Sequence, residues 1–411
     1  MTRCSFCDGT DMHLVMDFGR VALAGAFVKP DQFVVEKKYP MRLCFCADCY
    51  AVQVIDKVSE TVLFKDYFYF SSAIRTLADH FKEYAAEVAH RFLPDPSNGA
   101  VLEFGCNDGV LLRPLADQGI GTVIGVDPAT NVVKTINDAR VTVINDFFTE
   151  AVAERVVATH GKIDMVMANN VYAHIPDIQG ITRAIRAVLA DDGVFVFEVH
   201  YLGKVIHEMQ YDMIYHEHLY YYSLLSAIEH FKRYDMVVFD VKMVPIHAGS
   251  IRFYVCKKAS RHATQVTDAV RTLEREERSA GFDAAGTFSR FASDVAVTRQ
   301  DLMSLLERLR AEGRSVAGYG ASGRANTMIQ YCGIGPEHMA YMIDDAPAKI
   351  GYSTPGSHFE IKPSDVLAGP EAPDYVLVFA WSFFAEIAKK NQRYRDNGGR
   401  MIVPLPEVTV L

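Results

Sequence analysis

Val101-Leu-Glu-Phe-Gly-Cys-Asn-Asp-Gly109 is the stretch of sequence that decides the fold. An apolar, strand-forming run ends here in a glycine loop, and a helical pattern begins directly after it. Gly105 allows the backbone to turn sharply beneath a ligand, and Gly109 allows close packing where the helix starts. Asn107 replaces the middle glycine of a dinucleotide-binding G-x-G-x-x-G, so two phosphates would lose their closest approach to the backbone. The loop therefore predicts a ligand site at a sheet edge, for a ligand without a pyrophosphate.

Strand and helix patterns alternate around this loop. The predicted strands are 100–104, 122–126, 141–145, 163–168, 193–199 and 237–245, and the predicted helices are 73–92, 110–118, 131–139 and 177–189. Such alternation is typical of a doubly wound parallel sheet. Two long helical patterns follow at 264–280 and 288–312, and a second α/β unit begins with strands at 315–319, 340–343 and 375–379. The fold class is therefore α/β, with a β-rich N-terminal module (1–66), a central doubly wound domain (67–258) and a Rossmann-like C-terminal domain (259–411).

Polar residues follow the central strands at the edge where open α/β sheets bind ligands. Glu103, just before the glycine loop, matches the first motif of class I methyltransferases. Asp127 ends the second strand, where a carboxylate can accept both ribose hydroxyls of an adenosine. Asp146 is placed for the adenine amino group, Phe147 for stacking, and Asn169 lies at the rim. Each acid alone is more often a helix cap. Together they predict S-adenosylmethionine, which carries no phosphate.

The eight cysteines are unevenly distributed, with five of them in the first fifty residues. Cys4, Cys7, Cys46 and Cys49 form two C-x-x-C knuckles, which together supply a tetrahedral sulfur site for zinc. Such a site leaves no open coordination position, so the metal would be structural. Buried free thiols or a redox pair are the alternatives, but redox motifs normally stand singly. The other cysteines, Cys44, Cys106, Cys256 and Cys332, are expected to be buried small apolar residues.

Histidine, glutamate and tyrosine crowd together in residues 211–223. Side chains of this kind are seldom buried together in a plain core. His216, Glu217 and His218 stand in a row, and an H-x-H pair beside an acid can bind a metal, although the H-E-x-x-H register is absent. Acid–base chemistry is the second interpretation, with tyrosines as hydrogen-bond donors. A polar aromatic seam between domains is the third.

The order of these motifs resembles that of one family, the sugar C-methyltransferases of antibiotic deoxysugar pathways. The resemblance covers nearly the whole chain, and the His-Glu-His segment is its most specific part. Ala248 departs from the family, which usually shows glycine there, and 322–325 is variable. The motifs are the paired cysteine knuckles, Glu-Phe-Gly-Cys-Asn-Asp-Gly at 103–109, Tyr-His-Glu-His-Leu-Tyr-Tyr-Tyr-Ser at 215–223, His-Ala-Gly-Ser-Ile-Arg at 247–252 and Gly-Tyr-Gly-Ala-Ser-Gly-Arg at 318–324.

The resemblance implies methylation at carbon 3 of a dTDP-linked 4-keto deoxysugar that carries an amine or a hydroxyl on that carbon. Methylating carbon requires a carbanion, and a proton beside a ketone is one that a side chain can remove. His218 would be the general base. Tyr215 or His174 would hydrogen-bond the enolate oxygen, and Glu217 would position a neighbour or a substrate amine. The substrate contacts expected with this activity are Tyr69, Tyr222 and His247, and the candidates for contact with the substrate's diphosphate are Ser322 and Arg324.

The C-terminal unit contains a full G-x-G-x-x-G at 318–323, and Asp344-Asp345 ends its next strand. Read alone, this pattern indicates dinucleotide binding, and the alternative function is a nucleotide-sugar dehydrogenase or reductase using NAD(P). A helix N-terminus can hold any pyrophosphate, so the thymidine diphosphate of the substrate is the preferred ligand. A tight turn without a ligand is a further alternative. A non-catalytic zinc scaffold fits poorly with two nucleotide sites.

The composition limits the partners of the chain. Its 411 residues are long enough for two or three domains, and its net charge of −9 argues against a nucleic-acid-binding surface. The N-terminal residues lack an apolar signal region, and the longest apolar stretches are strand-length. We therefore expect a cytoplasmic, monomeric enzyme that binds neither nucleic acid nor a membrane.

Overall fold

The computed structural model describes residues 3–64, 72, 75–246 and 248–411. Two predicted substrate contacts, Tyr69 and His247, lie outside these residues. The strands are β1 (Met12–Ala22), β2 (Lys38–Cys46), β3 (Val52–Val54), β4 (Ala100–Phe104), β5 (Thr122–Val126), β6 (Val141–Ile144), β7 (Ile163–Asn169), β8 (Leu189–His200), β9 (Tyr220–Tyr221), β10 (Met236–Val244), β11 (Ser250–Lys257), β12 (Val316–Tyr319), β13 (Met342–Asp344), β14 (Ile361–Pro363), β15 (Tyr375–Val378), β16 (Arg400–Val403) and β17 (Thr409–Val410).

The helices flank three separate sheets. They are α1 (Glu60–Phe64), α2 (Arg75–Phe92), α3 (Leu112–Asp117), α4 (Thr130–Val133), α5 (Glu150–His160), α6 (Ile178–Val188), α7 (Leu202–His207), α8 (Leu224–Lys232), α9 (Asp268–Ser279), α10 (Ala285–Ala311), α11 (Gly323–Cys332), α12 (Phe384–Lys390) and α13 (Gln392–Asp396). None of the helices within the described ranges is long and apolar enough to cross a bilayer.

The central sheet has seven strands in the order β10-β11-β8-β7-β4-β5-β6. Strands β4 to β8 are parallel to one another, and β11 runs antiparallel to both of its neighbours. Helices α2 and α3 bury their apolar residues on one face of this sheet, and α5, α6 and α8 do so on the other. The predicted doubly wound domain is therefore confirmed, and the carboxyl ends of its parallel strands form one edge.

The N-terminal sheet is antiparallel, in the order β1-β2-β3-β9. Its fourth strand, β9, comes from the middle of the chain, directly after the His-Glu-His segment. The C-terminal sheet has the order β14-β13-β12-β15-β16-β17 and is parallel except for β17. Helix α10 packs its apolar residues into one core shared with the N-terminal and C-terminal sheets. The domain boundaries after 66 and 258 remain predictions.

Two elements differ from the expected pattern. The helix expected over 131–139 ends at Val133, where the amides of Thr135 and Ile136 bond to carbonyls three residues back. Asp138 then accepts hydrogen bonds from the backbone and side chain of Arg140 and forms a local turn before β6. Strand β11 was not expected, since Arg252 interrupts its apolar run. That arginine is nevertheless buried, and its charge is balanced inside the protein by Glu198.

Candidate active site

The four knuckle cysteines lie together at the end of the N-terminal sheet, and all four are buried. Their sulfur atoms lie within 4.8 Å of one another, with 3.5 Å from Cys4 to Cys49 and 3.7 Å from Cys7 to Cys46. A zinc ion with four Zn–S bonds of about 2.3 Å requires sulfur atoms about 3.8 Å apart. Amide N–H groups two residues after Cys4 and Cys7 donate to the sulfur atoms, as suits thiolates. The cluster therefore fits a closed, structural zinc site.

The glycine loop after β4 forms the floor of the predicted methyl-donor site. Gly105 has φ +68°, and a Cβ atom there would lie 2.2 Å from the side chain of Val171, so only glycine fits. Asp127 follows β5 and accepts hydrogen bonds from the amides of Asn107 (3.0 Å) and Ala129 (2.8 Å). These amides hold the carboxylate in one orientation. Burial raises the pKa of Asp127, and the two hydrogen bonds oppose that rise.

Beside this loop, Glu103 and Asn169 meet behind the ends of β4 and β7. The amide nitrogen of Asn169 donates to Oε1 of Glu103 at 3.1 Å, and both side chains are buried. Burial raises the pKa of Glu103 to about 8. Glu103 Oε2 and Asn169 Oδ1 have no hydrogen-bond partner among the described residues, and neither has the hydroxyl of Tyr84. Two unsatisfied buried acceptors suit the α-ammonium group of S-adenosylmethionine, so these residues fit the donor.

Asp146 and Phe147 occupy the outer rim of the same edge, after β6. The amide of Phe147 donates to the Asp146 carboxylate at 2.9 Å, and Arg155 lies 3.6 Å from it. Phe147 is 37% exposed. An exposed ring and an accessible carboxylate at this position are compatible with the predicted stacking and hydrogen bonding of an adenine.

Glu198 and Arg252 extend the polar surface under α2 and were not predicted as site residues. The guanidinium of Arg252 donates to Glu198 at 2.6 Å and lies 3.3 Å above the ring of Tyr84. His80 of α2 contacts the same carboxylate at 2.9 Å. Glu103, Asn169, Glu198 and Arg252 therefore form a buried polar row across four adjacent strands. Glu103 and Asn169 of this row are predicted from the sequence, whereas the only sequence signal for the Glu198–Arg252 pair is that Arg252 belongs to the 247–252 motif.

The predicted base, His218, ends a tight turn that is closed by its own amide on the carbonyl of Tyr215. Its Nδ1 lies 3.0 Å from the carbonyl oxygen of Met213. A carbonyl can only accept, so we assign the proton of the neutral ring to Nδ1, and the lone pair lies on Nε2. The hydroxyl of Tyr221 donates to the same carbonyl at 3.1 Å. The backbone thus selects the tautomer that a general base requires.

Two other predicted catalytic residues lie against this ring. His174 stacks on His218 with ring centroids 5.0 Å apart, and the centroid of Tyr215 lies 4.0 Å away. The carbonyl of Ala173 accepts the amides of Leu219 and Tyr220, which fixes the segment after β7 to the turn formed by residues 215–218. We call this turn the catalytic turn, after the role predicted for His218. Burial lowers the pKa of His174 to about 4, so this ring is neutral near pH 7.

Glu217 and His216 point to different surroundings. Glu217 Oε1 lies 3.2 Å from the position that a Cβ atom would take at Gly25, and its Oε2 has no partner within the described ranges. Burial raises the pKa of this carboxyl group. His216, in contrast, donates from Nε2 to the carbonyl of Pro40 at 3.0 Å and is fully buried. Its contacts are those of a residue that attaches the turn to β2.

The C-terminal glycine loop reaches the catalytic turn. Gly323, the first residue of α11, is close enough to Tyr215 that a Cβ atom would lie 3.6 Å from its ring. Ser322 caps the helix by accepting the amide of Ala325. Arg324 does not point freely into the loop, because its Nε and Nη2 bind the buried carboxylate of Asp212 at 2.9 and 3.1 Å. Nη1 is the guanidinium nitrogen that Asp212 does not occupy.

The acids after β13 and the tyrosine at 222 have partners of their own. Asp344 accepts the amide of Ala346 at 2.8 Å and binds Lys349 at 3.1 Å. Asp345 binds Lys390 and the hydroxyl of Tyr319. Tyr222 is fully buried, and its hydroxyl donates to the carbonyl of Tyr172 at 3.3 Å, so it lies behind the catalytic turn.

Ala248, which stands where the family usually has glycine, has φ +63°, in the left-handed region that favours glycine.

Family models match three consecutive segments of the chain. They are a zinc binding domain over residues 4–64, a methyltransferase domain over 77–240 and a C-methyltransferase C-terminal domain over 245–406. The C-methyltransferase NovU of Streptomyces niveus is 33% identical over 410 residues, which cover 99% of this chain and 96% of NovU. The chain belongs to the C-methyltransferase family. The resemblance seen in the motifs is confirmed, and so are the two cofactors, S-adenosylmethionine and zinc.

Other relatives of this C-methyltransferase match only part of it. The ubiquinone biosynthesis O-methyltransferase of Methylobacterium sp. (strain 4-46) is 34% identical over 104 residues, 25% of this chain and 41% of that protein. The magnesium protoporphyrin IX methyltransferase of Synechocystis PCC 6803 is 15% identical, with coverages of 44% and 83% and a TM-score of 0.35. A TM-score this low adds nothing to the assignment.

Proposed function

We propose that this C-methyltransferase methylates carbon 3 of a dTDP-linked 4-keto deoxysugar through an enolate, with His218 as the general base. The observation that carries the proposal is the set of rings around His218. A backbone carbonyl fixes its tautomer, and His174 and Tyr215 lie against its ring. A methyl transfer to oxygen would not require a base beside two groups that can stabilise an oxyanion.

The first step is removal of the proton from carbon 3 by Nε2 of His218. The electrons of the C–H bond move into the ring ketone and give an enolate, whose oxygen accepts a hydrogen bond from Tyr215 or His174. A neutral His174 can donate without competing as a base near pH 7. One preorganised donor of this kind is worth about a hundredfold to a thousandfold in rate. Glu217 would position a neighbouring group, or bind the amine where the sugar carries one.

In the second step, carbon 3 forms its new bond to the methyl group. The donor supplies an electrophilic methyl on a sulfonium, and the S–CH3 electron pair stays on sulfur. Asp127 would bind the ribose hydroxyls and Glu103 with Asn169 the ammonium group, while Gly105 and Asn107 shape the floor. Asp146 and Phe147 would bind the adenine. Tyr84, which the sequence did not indicate, would add its buried hydroxyl to the methionine end.

The nucleotide of the substrate would bind at the N-terminus of α11. The loop touches Tyr215, so a diphosphate there would leave its sugar next to the catalytic turn. Ser322 and the Nη1 atom of Arg324 would contact the phosphates. Tyr69 and His247 are proposed as sugar contacts. Tyr222 would act on the sugar only indirectly, by supporting the turn from behind.

The test is turnover of a panel of dTDP-linked 4-keto deoxysugars with S-adenosylmethionine in D2O. We expect a product heavier by one methyl group, with NMR placing that methyl on carbon 3. Without the donor, we expect deuterium to replace the proton at the same carbon. Methylation of an oxygen, or deuterium only at another carbon, would refute the proposed site of transfer.

A further inference from the structure

The zinc cluster and the catalytic turn share one β-sheet. Strand β9 begins two residues after His218 and pairs with β3, so that Gln53 lies opposite Tyr220 and Val52 opposite Tyr221. The amide of Val54 donates to the carbonyl of Leu219 at 2.8 Å. The end of the catalytic turn is therefore held by the edge of the zinc module.

Gln53 connects this edge to the metal cluster itself. Its side chain is fully buried, and its amide nitrogen donates to the sulfur of Cys4 at 3.0 Å. Its amide oxygen accepts the backbone N–H of Ser5 at 2.9 Å. The side chain thus binds both the sulfur and the backbone of the first knuckle, while its backbone pairs with β9. A second contact joins the same parts, since the rings of Phe6 and Tyr220 lie 5.0 Å apart.

The connection continues from β9 to the base. Tyr221, opposite Val52, is buried and donates its hydroxyl to the carbonyl of Met213 at 3.1 Å. His218 donates its Nδ1–H to the same oxygen at 3.0 Å. A shift of β9 would move the hydroxyl of Tyr221 and the backbone of His218 together. Misplacement of a catalytic group by about 1 Å can reduce a rate about a hundredfold.

We propose that Gln53 is a positioning residue, which transmits the geometry of zinc-bound Cys4 through β9 and Tyr221 to the imidazole of His218. The inference rests on the proposed role of His218 as the base. It gives the zinc module a part in catalysis beyond the stability of its own sheet. Because this positioning role is assigned to the side chain of Gln53 alone, it can be tested in a variant that still binds zinc.

The test compares Gln53→Leu with Gln179→Leu. Gln179 is the matched control, because it also binds the first knuckle, donating to the carbonyl of Ser5 and to Asp8, but contacts no sulfur and does not pair with β9. Three properties are measured in each variant: bound zinc, kcat with KM for both substrates, and the 15N–1H ring signals of His218, assigned by their loss in His218→Asn.

We expect Gln53→Leu to retain its zinc and its KM for the donor, while kcat falls about tenfold to a hundredfold. The His218 ring signals should shift or broaden. Gln179→Leu should match the wild type in all three. Unchanged kcat and unchanged ring signals in zinc-loaded Gln53→Leu would overturn the inference, as would equal losses in both variants.

A second measurement uses the wild-type chain, in case Gln53→Leu fails to fold. Replacement of zinc by cadmium, whose bonds to sulfur are longer, should move the His218 ring signals while the amide signals of the C-terminal sheet stay in place. Identical His218 ring signals in the zinc and cadmium forms would overturn the proposed coupling. The ring signals report on position alone, so a failure of the proposed base is recognised separately, by deuterium exchange that survives in His218→Asn.

Discussion

Asp212 and Arg324 join the catalytic turn to the first turn of α11 by two hydrogen bonds. The carboxylate is fully buried, and it also accepts the indole N–H of Trp381 at 3.0 Å. Arg324 was expected to face the substrate. Its Nε and Nη2 attach the first turn of α11 to the residues just before Tyr215, so Nη1 is the nitrogen proposed for the phosphate contact.

Replacing Asp212 by asparagine should therefore destabilise the protein strongly. Removing one partner of a buried ion pair leaves the other charge uncompensated and costs about 3–5 kcal/mol. Asp268→Asn is the control, because Asp268 pairs with Arg271 on an exposed surface, where such pairs contribute about 1 kcal/mol or less. Denaturant unfolding measures both. Equal decreases in the unfolding free energy of the two variants would show that the buried Asp212 pair stabilises the protein no more than an exposed pair.

His218→Asn should abolish most of the activity while the protein still binds the donor. Both methyl transfer and solvent deuterium exchange at the sugar carbon should fall by about a hundredfold or more, since the same group serves both. His216→Asn is the comparison, because His216 contacts Pro40 instead of the site. If deuterium exchange persists while methylation is lost, the base is another group, and Tyr215 and Glu217 are the next candidates.

Asp127→Ala should weaken donor binding without unfolding the chain. The loss of hydrogen bonds to a charged group costs about 1.5–3 kcal/mol, which is one to two decades in Kd. Titration calorimetry with S-adenosylmethionine measures this, and Asp117→Ala, an exposed acid paired with Arg140, should bind like the wild type. Unchanged affinity in Asp127→Ala would show that this carboxylate does not bind the donor.

Glu103→Gln should change how stability depends on pH in the absence of the donor. Burial raises the pKa of Glu103 from 4.5 to about 8, so the folded state holds this proton more tightly than the unfolded state. The unfolding free energy should therefore fall as the pH rises from about 5 to 8, because unfolding releases a proton that the folded state still holds in this range. Glutamine has no such proton, and the variant should be more stable by on the order of 3 kcal/mol at pH 7.

Unfolding curves at pH 5 and pH 8 measure this difference. The two proteins should have similar pH slopes below pH 5 and diverge above it, while donor affinity is lower in the glutamine variant. A wild type and a variant that respond alike up to pH 8 would show that the Glu103 carboxyl ionises normally.

Zinc should be bound at about one ion per chain and should depend on the knuckle cysteines alone. Cys49→Ser should lose the metal, because it removes one of the four clustered sulfur atoms. Cys44→Ser is the matched control: Cys44 is also buried in the N-terminal sheet but lies outside the cluster. Elemental analysis of both purified variants decides this. Metal retained after Cys49→Ser would refute the assigned ligand set.

Sequence patterns predicted the strands β4 and β5 to the residue, because each is a short, mainly apolar run bounded by turn residues. The family resemblance, rather than a periodic pattern, grouped His174, Tyr215 and His218, and the structure places the first two rings against the third. Sequence patterns could not predict β9, since a two-residue strand has no period and its partner β3 lies far away in the chain. The contacts of Arg324 with Asp212 and of Tyr222 with Tyr172 could not be predicted for the same reason, because both are tertiary contacts between distant parts of the sequence.

The pairing of β9 with β3 also determines when the N-terminal sheet can be completed during translation. During translation, the first three strands and all four zinc ligands leave the ribosome long before residues 220–221. Until β9 is synthesised, β3 is therefore an exposed edge strand with unpaired amides and carbonyls. Open edges of this kind recruit other strands and lead to aggregation. A fragment that stops at residue 66 would keep that edge for its whole lifetime. We therefore expect the isolated N-terminal module to bind metal but to associate with itself.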